Sequence, residues 1–159
     1  MVITMKFLKI DLKKLIFYVG LTEIIGFVGS LLGGNTDEVY KDLVKPPLSP
    51  PSIVFPIVWG ILYLILGISA YLFDQASRDK APLRLYWVQI VLNSLWTMFF
   101  FRFQWLTFSA IWIVLLIVLS ARLTVQFRKE SRTASWLFLP YLAWLFFALY
   151  LNIGFAGLN

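Results

Sequence analysis

A chain of 159 residues with 60% hydrophobic, 18% aromatic and only 14% charged residues cannot build a water-facing surface, since soluble domains carry about 25% charged residues. The density of Phe, Leu, Ile and Trp excludes disorder, collagen and coiled coil. Cys and His are both absent, which removes disulfides, thiolate and imidazole metal ligands, and an imidazole general base. No metal site is expected, and the chemistry left to the chain is that of aromatics, amides and carboxylates.

A membrane-spanning helix needs about 20 mostly apolar residues, and five segments qualify in chain order: about 12–32, 51–73, 83–101, 105–125 and 134–156. The predicted fold class is therefore all-α, a polytopic five-helix membrane bundle forming one domain over 1–159. The basic start followed by an apolar run could also be a cleaved signal peptide. It is read here as a mature first helix, because the run is long and carries Glu23. The fifth span contains Pro140, which removes one helical hydrogen bond and favours a kink.

Eleven of the 14 Lys and Arg fall on one side of these spans: Lys6, Lys9, Lys13 and Lys14, then Arg78, Lys80 and Arg84, then Arg122, Arg128, Lys129 and Arg132. Lys41, Lys45 and Arg102 fall on the other. Positive charge stays inside, so the N-terminus is expected inside and the C-terminus outside. The net charge of +6 reads as topology and as affinity for anionic headgroups; a nucleic-acid partner is not expected, because a soluble face of interleaved bases and stacking rings is missing.

The long connection 33–50 is unlike the others. It opens on Gly33-Gly34-Asn35, carries mixed charges, and ends Lys45-Pro46-Pro47-Leu48-Ser49-Pro50-Pro51. Prolines fix φ and remove donors, so its end is expected to be a stiff extended strap feeding the second helix. A plain linker is the alternative; a structured lid on the outer face explains the stiffness better.

Polar groups inside a bilayer are costly and turn toward protein. Glu23 is the one ionisable residue deep in a span, either a protonated carboxyl bonded to a neighbouring helix or part of a proton relay. Gly26, Gly29, Ser30 and Gly33 give the first helix a small face with GxxxG spacing, suited to close packing within the chain or to a dimer contact. On the third span Gln89, Asn93, Trp96 and Phe100 share one helical face; on the fifth, Tyr141, Trp144, Ala148 and Asn152 do; on the second, Phe55, Trp59 and Tyr63 do. At about 1.5 Å per residue most of these fall in the outer half, beneath the strap, with Trp144 nearer the midplane. Trp87, Trp105 and Trp136 stand at predicted helix ends, where an interfacial belt accounts for them. Flat π-faces with a few amide donors suit a planar, hydrophobic, weakly polar ligand.

These same residues carry a resemblance. Gly26-Phe27-Val28-Gly29-Ser30, Tyr40-x-x-Leu43-x-Lys45-Pro46 with Pro50-Pro51, Phe55-x-x-x-Trp59 with Leu62-Tyr63, Gln89-x-x-Leu92-Asn93-x-x-Trp96, and Pro140-Tyr141-Leu142-Ala143-Trp144 with Leu151-Asn152 occur in order on five helices. From Glu23 to its end the chain resembles the TspO/translocator protein family, also called tryptophan-rich sensory proteins or peripheral-type benzodiazepine receptors. The resemblance implies a bundle, often a homodimer, whose first loop caps a pocket for porphyrins, for isoquinoline and benzodiazepine-type ligands and, in animals, for cholesterol. Trp59, Asn93, Trp96, Trp144 and Ala148 match family pocket positions; Tyr63, Tyr141 and Asn152 join them on the stripes, and Tyr40, Lys45, Pro46, Pro50 and Pro51 form the lid. Some bacterial members are implied to degrade protoporphyrin IX in light and oxygen, with Trp59 and Trp144 as the matching redox-active tryptophans. Two lid positions depart from the pattern: Val39 stands where a Trp is usual, and Leu48 where an aromatic is common. After Tyr150 the chain carries no Lys or Arg, so the animal sterol motif is incomplete.

The expected function is that of a membrane receptor or sensor binding protoporphyrin IX, haem-related tetrapyrroles or drug-like aromatic ligands. A porphyrin-degrading photooxidase and a tetrapyrrole or sterol transporter are the alternatives. No cofactor is expected, porphyrin being ligand or substrate, and the expected location is a prokaryotic plasma membrane.

Overall fold

The computed structural model describes residues 9–159; Lys6, among the predicted inner charges, lies outside them. The elements are α1 (Leu12–Gly33), α2 (Thr36–Asp42), α3 (Val54–Ala76), α4 (Ala81–Thr97) continued by a π-helical turn (Met98–Arg102), α5 (Leu106–Glu130) and α6 (Arg132–Leu158). The described residues contain no strand. Local chemistry sets the ends. The Asp11 carboxylate accepts from the Lys14 N–H at 3.1 Å and the Ser131 hydroxyl from the Ala134 N–H at 3.2 Å, each satisfying one of the free donors at a helix start. Lys80 precedes α4, whose second residue is Pro82, a proline position a first turn tolerates.

Four helices, α1, α3, α5 and α6, are long and apolar enough to cross a membrane. α4 has 17 residues, roughly 26 Å at 1.5 Å per residue, short of the ~30 Å hydrocarbon core without its π turn. Predicted and observed bounds differ by up to five residues. The second span begins at Val54 rather than 51, because residues 51–53 form a turn closed by the Val54 N–H to the Pro51 carbonyl at 3.0 Å. α5 runs on to Glu130, five residues past its apolar stretch: charged side chains end a hydrophobic run but not a helix, and Arg128 and Lys129 favour its last turn.

α5 and α6 form a tight hairpin through Ser131; α1 lies against α3 and α4, and α3 against α6. Close approach is made by glycine. A Cβ on Gly67 of α3 would lie 2.6 Å from the Val19 Cα, and one on Gly29 of α1 would lie 2.7 Å from the Ser94 Cβ of α4. The GxxxG face of α1 is thus spent inside the chain, on α3 and α4. The opposite face of α1 exposes Ile16, Ile24, Phe27 and Leu31, as lipid contact requires. α6 continues unbroken through Pro140.

At one end, the buried Asp74 carboxylate joins α1 and the α3–α4 connection by accepting from Lys14 Nζ at 3.0 Å and Lys80 Nζ at 2.6 Å. The opposite end carries the 34–53 connection, which contains a helix the sequence reading did not foresee. Asp37 and Glu38 in its first turn and Lys41 in its last suit the helix dipole. The proline-rich part is non-helical but not one extended strap, because it turns at Pro47 and Leu48, where Leu48 has φ 65°, and the Ser49 hydroxyl donates back to the Pro46 carbonyl at 2.7 Å.

Candidate functional site

The aromatic stripes of α3 and α4 face each other across a cavity of about 460 Å³. Gly26 and Ser30 of α1, Thr36, Asp37 and Tyr40 of α2, Ser52 and Ile53 of the turn before α3, and Phe55, Pro56, Trp59 and Tyr63 of α3 form much of its wall. Asn93, Trp96 and Thr97 of α4 and Phe101 of the π turn complete it. Ser30, Asp37, Ile53 and Pro56 are exposed, so the mouth opens between the end of α1, α2 and the start of α3.

The wall is fixed by paired contacts. Asn93 Nδ2 donates to the Tyr63 hydroxyl at 2.9 Å, and the Tyr63 ring stacks on Trp59 at 5.5 Å between centroids. That ring lies where a Cβ on residue 26 would sit, so Gly26 is what lets Tyr63 reach the cavity floor. Trp96 Nε1 donates to Asn152 Oδ1 at 3.2 Å, which also accepts from Ser109 Oγ at 2.9 Å, while Asn152 Nδ2 donates to the Ala148 carbonyl at 2.8 Å. Asn152 thereby ties α4, α5 and α6 together and sets the plane of the Trp96 indole. The π turn, closed by the Phe103 N–H to the Met98 carbonyl at 3.0 Å, inserts one residue into the helical register. It turns Phe101 to the cavity while Phe100 is buried on Phe155 at 5.4 Å.

Of the eight predicted contact residues, Trp59, Tyr63, Asn93 and Trp96 line this cavity. Trp144, Ala148 and Asn152 line a separate narrow space of about 20 Å³ behind Trp59 and Trp96. The Trp144 ring stands at 89° to Trp59, 6.5 Å away, and its buried N–H has no acceptor among the described residues. Tyr141 lines neither space: its hydroxyl is buried on the Gln89 amide, and only its ring edge meets Trp59, at 6.2 Å. Glu23 is half-buried on α1, one turn before Gly26, and lines neither space. Among the residues assigned to a belt, Trp105 and Trp136 are exposed, whereas Trp87 stacks on Tyr18 at 5.8 Å and 10°.

The 34–53 connection is tied down along its length. Tyr40, buried and touching both spaces, donates to the Pro50 carbonyl at 2.6 Å, and Lys45 Nζ sits 5.1 Å from its ring centroid. Pro46 packs where Gly154 of α6 leaves room, 2.5 Å from where a Cβ would be. The Tyr150 hydroxyl donates to the Pro47 carbonyl at 2.7 Å, and the Asn159 amide brackets Val44 at 2.8 and 3.0 Å. Pro51 opens the turn into α3. Burial pushes the Tyr40 phenol up from its ordinary pKa. Lys41, 2.5 Å away, and the Ser52 hydroxyl hold the Asp37 carboxyl below the usual carboxylate range, and Asp37 in turn raises Lys41.

Sequence reasoning missed the lining residues Thr36, Asp37, Ser52, Ile53, Pro56, Thr97 and Phe101. Thr97 follows Asn93 at i+4, so the helical period could have found it; Phe101 depends on the π turn, which the period does not show. Thr36 and Asp37 could have been found through the helix-start pattern Asn-Thr-Asp-Glu.

Fold and site together define a helical membrane protein with an aromatic-walled chamber opening beneath a pinned extramembrane segment. The TspO/MBR family matches residues 18–157. The chain is 34% identical to the tryptophan-rich protein TspO of Chlorobaculum tepidum over 146 residues, covering 89% of this chain and 92% of that one. It is 32% identical to the tryptophan-rich protein TspO of Archaeoglobus fulgidus over 155 residues (94% and 99%), and 35% identical to the translocator protein of Homo sapiens over 132 residues (79% and 78%). The chain belongs to the TspO/MBR family and is an integral membrane protein.

Proposed function

We propose that the chain is a receptor or sensor that binds a flat aromatic molecule, a porphyrin or an isoquinoline or benzodiazepine-type ligand, in the cavity between α1, α3 and α4. The observation that carries this is the wall itself: four tryptophan or tyrosine residues, Tyr40, Trp59, Tyr63 and Trp96, and one amide, Asn93, enclose about 460 Å³, a volume typical of small-molecule sites. The aromatic faces supply stacking area, the Tyr63–Asn93 pair a polar handle, and the pinned 34–53 segment acts as a lid that excludes water. In this reading α4 with its π turn also crosses the membrane, as the third of five spans, and the N-terminus is inside and the C-terminus outside a prokaryotic plasma membrane. A homodimer would use a face other than the α1 glycine stripe, which is already buried against α3 and α4.

Titration of the purified protein with protoporphyrin IX in the dark, followed by tryptophan fluorescence, tests this. We expect saturable quenching that weakens at least ten-fold in Trp96→Ala and is unchanged in Trp136→Phe; no quenching at micromolar porphyrin would sink the reading. Light-dependent turnover is a second reading, favoured by the placement of Trp59 on the cavity with Trp144 directly behind it. It requires new porphyrin absorption bands on illumination in oxygen, lost in Trp59→Phe.

A further inference from the structure

Six aromatic residues and the Asn93 amide form much of the cavity wall, whereas the exposed residues at its mouth, Ser30, Asp37, Ile53 and Pro56, are neither aromatic nor amide. Asp37 is the one side chain of the wall with a full charge. Its partner Lys41 is 2.5 Å away but forms no part of the wall, and both are more than half exposed. Such a pair is held weakly, and its cation can swing into water. Lys45 of the same connection is turned back onto the Lys41 and Leu43 carbonyls at 3.1 and 3.2 Å, with its Nζ 5.1 Å from the Tyr40 ring centroid, and does not line the wall. A molecule entering the mouth therefore meets a carboxylate beside the Ser52 hydroxyl, with no wall cation to offset it.

We propose that Asp37 is a specificity-determining residue of this site: it disfavours ligands whose mouth-facing end is a carboxylate and favours those whose end is neutral, hydrogen-bond-donating or cationic. The inference rests on the aromatic-ligand reading above and adds the sign of charge the site accepts. A flat ligand fills the chamber through its rings, so its polar substituents lie at the open side, within reach of α2. A carboxylate there repels Asp37, whereas an amine replaces Lys41 as its partner. At about 4 Å in a watery setting one such charge contact changes affinity roughly five-fold.

Protoporphyrin IX and its dimethyl ester share rings and differ in charge, so the ratio of their dissociation constants isolates this effect. We expect that ratio, diacid over ester, to fall about five-fold from wild type to Asp37→Asn at low salt. It should stay low in the double variant Asp37→Asn/Lys41→Gln, and the difference between wild type and Asp37→Asn should shrink at high salt. An unchanged ratio in Asp37→Asn, with both ligands still bound, overturns the inference alone. A return of the wild-type ratio in the double variant also overturns it, by assigning the effect to a freed Lys41. Absence of binding by either ligand in wild type overturns the inference together with the aromatic-ligand reading.

Discussion

The two halves of the bundle use the same residue types to opposite ends. Around the Asp74 clamp, rings close on each other and on small partners: Phe73 and Phe127 stack at 4.2 Å and 14°, Phe138 and Tyr86 are fully buried, and the Ser69 hydroxyl donates to the Ala134 carbonyl at 2.7 Å. At the other end, Trp59 lies 6.5 Å from both Trp96 and Trp144, tilted by 37° and 89°. Trp96, held by its hydrogen bond to Asn152, and Tyr63, held by Asn93 and the notch at Gly26, wall the space beside Trp59 rather than fill it. The contrast separates aromatic content that stabilises from aromatic content that leaves room.

Substitutions can break that contrast. Phe127→Ala, in the packed half, should cost about 3–5 kcal/mol in denaturant unfolding while the folded protein keeps its porphyrin affinity. Equal damage to affinity would show that the halves are not separate. Gly67→Ala forces a methyl against the Val19 backbone and should cost about 1–3 kcal/mol; Gly60→Ala, which meets nothing within 4 Å, should be neutral or slightly stabilising in the same assay. Leu48 sits at φ 65° and is exposed. Leu48→Gly should therefore stabilise by about 1 kcal/mol, read as a small rise in unfolding midpoint.

The smallest effect concerns pH. Because Asp37 is lowered and Lys41 raised, the contribution of Asp37 is complete above its unfolded pKa of about 3.9 and is lost as pH falls through its folded value. That of Lys41 is complete below about 10.4 and is lost as pH rises through its folded value. Hydrogen exchange of α2, corrected for the intrinsic pH dependence of the rate, should thus be flat from roughly pH 5 to pH 9 and loosen only outside that window. A transition near neutrality would contradict this assignment.

Much of this was legible beforehand. Hydropathy alone located α1, α3, α5 and α6, and helical spacing brought Trp59, Tyr63, Asn93 and Trp96 to one wall. Periodicity says which residues share a face, but not how far apart two faces stand; Trp144, Ala148 and Asn152 therefore fell on the narrow side of Trp59, and Tyr141 into a buried hydrogen bond. The π turn stayed hidden because one inserted residue leaves no mark in a hydrophobic run. α2 was missed because seven residues are too few for a periodic signal, although its charges already fitted a helix dipole.

The most direct test of the hollow half is a photo-crosslinking map: a porphyrin bearing a photoreactive group, irradiated with the intact protein in membranes and located by peptide mass spectrometry. We expect adducts, competed by unlabelled porphyrin, on the lining residues Thr36, Ile53, Asn93 and Phe101. Competed adducts confined to lipid-facing positions such as Trp136 or Phe146 would contradict the assignment of the cavity as the binding site.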